Sequence, residues 1–77
     1  MYDEELSEDF KREYFETNLK AARIGFVESM RKVAGAYLNG FGVEKNFDAA
    51  IKWYEEAFDA GDISSAIALG EIYLAAP

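Results

Sequence analysis

The side chains in this sequence that could do chemistry are hydroxyls and carboxylates. Ser7, Thr17, Ser29, Ser64, Ser65 and five tyrosines supply the hydroxyls; fifteen Asp and Glu supply the acids. There is no histidine and no cysteine. That removes imidazole general-base catalysis, thiolate nucleophiles, disulfides and the usual zinc-ligand sets. A serine nucleophile needs an activating base beside it, and no motif pairs one with lysine. Ser7 instead precedes an amphipathic run, where its oxygen can cap a helix. Ser29 and Ser65 occupy equivalent positions of an internal repeat. Glu55 and Asp59 are a like-charged i,i+4 pair on a polar helix side, not an aimed acid–base pair. Gly40-Phe41-Gly42 lacks the lysine of a phosphate loop and lies between helices. No acids carry calcium-loop spacing. The residue types point away from catalysis, cofactors and metals, and toward binding.

Charge narrows the partner. Fifteen acids against eight bases give a net −7. Phosphate neutralisation needs a basic face, so nucleic acid is excluded as a direct ligand. The charge is also segregated. Residues 1–9 carry five acids and no base. Residues 10–52 carry eight bases and five acids, and residues 53–77 carry Glu55, Glu56, Asp59, Asp62 and Glu71 with no base. An acidic start is the opposite of a signal peptide's, and no apolar run approaches membrane-span length. The expectation is a cytoplasmic protein with no membrane association.

At 77 residues, 51% of them apolar, the chain has material for one small core. Period and punctuation divide it into an acidic tail at 1–6 and a single helical domain at 7–77. Helices are expected at about 7–24, 26–38, 46–60 and 62–75. Phe10, Tyr14, Phe15, Leu19, Ala21 and Ala22 share one side of the first. Phe26, Met30, Val33, Ala34, Tyr37 and Leu38 form the stripe of the second, with Glu28, Arg31 and Lys32 opposite. In the third, Phe47, Ala50, Ile51, Trp53, Tyr54, Ala57 and Phe58 form the buried side. Lys52, Glu55, Glu56 and Asp59 form the wet one. Asn46 and Asp62 are placed to cap the third and fourth helices, and Gly25 and Gly61 to end the first and third. The short connections make neighbours antiparallel. The fold class is all-α: helix hairpins stacked as a short superhelix.

An internal repeat supports that architecture. Offset by 36, residues 21–38 match residues 57–74 at Ala21/Ala57, Gly25/Gly61, Ser29/Ser65, Tyr37/Tyr73 and Leu38/Leu74. Offset by 39, Ser7/Asn46, Asp9/Asp48, Tyr14/Trp53, Phe15/Tyr54 and Glu16/Glu55 align. The first helix therefore corresponds to the third, and the second to the fourth.

These residues resemble a known pattern. Leu69-Gly70-x-x-Tyr73, Tyr37-Leu38-Asn39-Gly40-Phe41-Gly42-Val43, Ala50-x-x-Trp53-Tyr54-x-x-Ala57 and Ala60-Gly61 are similar to the Sel-one-like repeat, a relative of tetratricopeptide repeats. The resemblance covers about residues 21–74, roughly one and a half repeats. It departs at Val33-Ala34-Gly35, where the pattern has Leu-Gly, at Asn46 and at Phe58. It implies an α-solenoid that serves as an adaptor or assembly scaffold. Independently of the family, Gly70 in mid-helix suggests a close helix crossing, with Tyr73 covering the gap one turn later. Val43 is placed to fold back onto the helix ends.

The fourth helix carries the binding expectation. Ile63, Ala66, Ile67, Leu69, Gly70, Tyr73 and Leu74 span about 160° of its wheel, and Ile72 widens this to roughly 220°. One neighbouring helix cannot cover that arc. Either the helix curls into a compact bundle or another chain covers Ile67, Ile72 and Leu74, with a homodimer as the favoured form. Glu71 beside them, with Glu55, Glu56 and Asp59, completes the expected partner surface. Two other functions fit the sequence: an acidic inhibitor blocking a basic nucleic-acid-binding surface, and a designed or excised helical fragment that self-associates.

Overall fold

A computed structural model describes residues 6–75; residues 1–5 of the tail expected at 1–6, and the final Ala76 and Pro77, lie outside the described residues. The elements are α1 (Glu8–Arg23), α2 (Val27–Asn39), α3 (Phe47–Asp59) and α4 (Ile63–Ala75). Each begins and ends within one or two residues of its expected bounds. Ser7 Oγ accepts the Phe10 N–H at 3.0 Å, and Asn46 Oδ1 accepts the Ala49 N–H at 3.0 Å. Both oxygens satisfy an amide that the first helical turn leaves free.

The repeat is visible in the backbone. At the end of α1, Phe26 N donates to Ala21 O and Gly25 N to Ala22 O. At the end of α3, Asp62 N donates to Ala57 O and Gly61 N to Phe58 O. This is the same left-handed helix stop twice, with φ of 106° at Gly25 and 107° at Gly61. The stop reverses the chain at the same point of each hairpin.

The hairpins stack into a slab 19 Å thick, about two helix diameters. Extensive packing runs only between sequence neighbours: α1 on α2, α2 on α3, α3 on α4. The core is Phe15, Ala22, Met30, Val33, Ala34, Ala36, Ala50, Tyr54 and Ala57. The Phe15 and Tyr37 rings meet edge to face at 5.2 Å. The α2–α3 turn seals one edge. Phe41 meets Tyr14 edge to face at 5.2 Å, and Val43 packs against the core as expected.

Four expected core aromatics are not buried. Phe10, Phe26, Phe47 and Phe58 are each about half exposed or more. In a slab two helices thick, a stripe is covered only as far as its one or two neighbours reach. Residues at the stripe's edge and at helix ends stay open. Phe26 is the cap residue of α2 and Phe47 the first residue of α3, where the Lys45 ammonium stands 5.9 Å from its ring.

Arg31 departs the other way. It was expected on the wet side of α2, but its Nε is buried and stands 3.2 Å from Asp62 Oδ2, without hydrogen-bond alignment. Asp62 thereby holds α2 to the start of α4. The same carboxylate oxygen accepts the Ser65 hydroxyl at 2.7 Å. That bond satisfies the only buried polar residue among those described, Ser65.

Candidate docking face on the fourth helix

α4 has two apolar stripes on opposite sides. Ser65, Ala68, Leu69 and Ile72 follow the i, i+3, i+4, i+7 spacing and turn toward α3: Ser65 is buried and the other three half-buried. Ile63, Ile67, Gly70 and Leu74 follow i, i+4, i+7, i+11 and fall within about 60° of arc. Ile63 is 72% exposed, Ile67 64% and Leu74 88%. Tyr73 and Ala66 flank this second stripe and are exposed as well. The helix does not curl back over the bundle, so the outer stripe meets no other described element.

Comparison with α2 shows what is missing. Met30, Val33, Ala34 and Tyr37 of α2 correspond to Ala66, Leu69, Gly70 and Tyr73 of α4. Met30, Val33 and Ala34 are buried and Tyr37 half-buried, whereas Ala66, Gly70 and Tyr73 are exposed and Leu69 half-buried. α2 is flanked by helices on two sides, and α4 on one. The close crossing expected at Gly70 is therefore absent. A Cβ built there meets nothing within 4 Å, and Tyr73 covers no gap. Gly70 is a flat spot at the centre of the exposed stripe. Gly70→Ala is accordingly expected to stabilise the isolated chain by up to about 1 kcal/mol, since alanine is the better helix former. The melting temperature followed by circular dichroism should rise by up to about 4–8 °C.

The residues expected to bind a partner separate into groups. Ile67, Leu74 and Glu71 lie together on the exposed side of α4. Ile72 does not join them, because it belongs to the α3-facing stripe. Ile63 was missing from that set and extends it; the signal available was its position four residues before Ile67. Glu55 and Asp59 are exposed one turn apart on α3. Glu56 points elsewhere, into a groove of about 530 Å³ with Ala22, Arg23, Met30, Lys52 and Trp53. A second groove of about 410 Å³ lies on the α1–α2 side, between Leu6, Phe10, Tyr14 and Phe41. Of the residues singled out as structural motif, Gly40, Gly42 and Gly61 have positive φ, Tyr54 and Ala57 are buried, Val43 and Trp53 pack against the core, and Leu69 is half-buried.

Electrostatics adds one feature. The Tyr54 hydroxyl titrates above its ordinary range because burial disfavours the phenolate; Arg31 opposes the shift and Glu71 adds to it. None of Glu55, Glu56, Asp59 and Glu71 belongs to an ion pair among the described residues. No three acids converge there as a metal-ligand set, and no described helix is long and apolar enough to cross a membrane.

In comparison with known proteins, residues 27–62 fit the family model of the Sel1 repeat. The matched span contains α2, the glycine turn, α3 and the stop at Gly61. No curated protein and no solved structure matches the chain.

Proposed function

We propose that the chain, whose residues 27–62 match the Sel1 repeat, is a non-catalytic protein–protein interaction module that docks its partner on α4. Sel1 repeats generally mediate protein–protein interactions. The observation that carries the placement is the outer stripe of Ile63, Ile67, Gly70 and Leu74, apolar along its length and open to solvent. Soluble domains keep such contiguous apolar surface small unless something covers it. Self-association through Ile67 and Leu74 is the homotypic form of the same proposal.

The double variant Ile67→Asp/Leu74→Asp tests it. Both side chains are mostly exposed, so helical content and melting temperature should change little. Proteins retained by the wild type would be identified, purified and titrated against both forms, and sedimentation would report the homotypic case. At least a tenfold loss of direct binding, or of self-association, is expected, on the order of 1.4 kcal/mol or more. Equal binding by the two forms overturns the placement on α4. A reaction catalysed by the purified chain overturns the non-catalytic reading.

A further inference from the structure

We propose that the partner of α4 is an amphipathic helix whose apolar stripe is flanked by lysine or arginine. This rests on the docking reading above and adds the chemistry of the occupant. The first observation is shape. The open stripe has helical spacing, and of its α2 equivalents Val27, Arg31, Ala34 and Leu38, Ala34 is buried and the other three are half-buried, whereas all four stripe residues are exposed. A helix laid along Ile63, Ile67 and Leu74, with a side chain seated over Gly70, would restore on α4 the second flank that α2 already has.

The second observation is charge. From residue 53 onward the chain has five acids and no base. Asp62 is committed to Arg31. That leaves Glu71, about 80° around α4 from Ile63 and so bordering the stripe, with Glu55 and Asp59 exposed on the adjacent helix, all without ion-pair partners among the described residues. A basic flank is complementary to this edge and gains both attraction and orientation. A second copy brings the same acids and, from residue 53 onward, no base, so pairing through two α4 helices supplies no basic flank from that region. The charge pattern therefore favours a basic heterologous helix over self.

The test uses the full chain and two peptides of equal length. Both carry leucine at i, i+4, i+7 and i+11; one is flanked by lysine and the other by glutamate. Fluorescence anisotropy at about 50 mM and about 500 mM salt brackets strong and weak screening. The lysine peptide should bind at least about tenfold tighter at low salt, and the preference should shrink at high salt. Glu55→Lys/Asp59→Lys/Glu71→Lys should reverse the preference. Ile67→Asp should abolish binding of the lysine peptide; because it adds an acid, mere electrostatic attraction would instead rise. Equal affinity of the two peptides, or an unreversed preference, overturns the basic-partner inference and leaves docking on α4 standing. So does a salt-strengthened dimer that Ile67→Asp dissolves, which makes a second copy the occupant. Absence of all peptide binding and self-association overturns the docking reading itself, and this inference with it.

Discussion

Replacing Gly42 with alanine should unfold much of the chain at moderate temperature. Gly42 has φ of +76°, a conformation that disfavours any side chain by about 1–2 kcal/mol. It also lies against the backbone of α1. A Cβ at this position would run into the Lys11 carbonyl oxygen and stand 2.6 Å from its carbonyl carbon. Both obstacles are backbone, so no rotamer change relieves them. Separating the turn from α1 would disturb the Phe41–Tyr14 ring contact and the Lys11 ammonium 5.7 Å above Phe41. Strain plus overpacking amounts to about 3 kcal/mol or more. A 77-residue domain has on the order of 4–12 kcal/mol in total. The melting temperature should fall by about 12 °C or more. Gly25→Ala is the control. It meets comparable φ strain but no atom within 4 Å, so it should cost distinctly less. Equal losses in the two variants would show that Gly42 acts through conformation alone.

Phe15→Ala is expected to be at least as damaging. Phe15 is the largest buried residue that α1 contributes to the core, 7% exposed, and it joins Ala22, Met30, Val33, Ala36 and Ala57 in one cluster. Truncation removes the edge-to-face contact with Tyr37 and leaves a cavity that the surrounding alanines are too small to fill. Buried Phe→Ala substitutions cost about 3–5 kcal/mol. Because α1 packs extensively on α2 alone, the loss should appear first as release of α1. Hydrogen exchange should show α1 amides losing protection before those of α2 and α3. Uniform loss across all four helices would instead make the slab a single cooperative unit.

Much of this fold could be read from the chain in order. The caps at Ser7 and Asn46, the stops at Gly25 and Gly61 and the helix bounds depend on interactions within a few residues, and local residue types specify such interactions. The 36-residue repeat was likewise legible, and with it the pairing of α1 with α3 and α2 with α4. The candidate site was legible in part. Excess apolarity of α4 was plain from its wheel, and Ile67, Glu71 and Leu74, singled out as a partner surface, are exposed. Ile72 was misassigned because the wheel shows the width of an apolar arc without showing which part of it faces α3.

The sequence alone determined the element types, their order, their antiparallel succession and the absence of imidazole and thiol chemistry. These follow from short-range hydrogen bonding, periodicity and composition. Only the tertiary structure decided which apolar residues have neighbours. Phe10, Phe26, Phe47 and Phe58 read as core residues and remain substantially open, whereas Arg31 reads as a surface base and is drawn in by Asp62, 31 positions along the chain. Gly42 needs its missing side chain because the turn meets the backbone of α1 some 30 residues earlier, and Gly70 sits in open space. Burial depends on how many elements surround a helix. In a slab whose helices pack mainly on their sequence neighbours, α2 and α3 each have two such neighbours among the described elements and α4 has one, so its outer stripe meets no other described element.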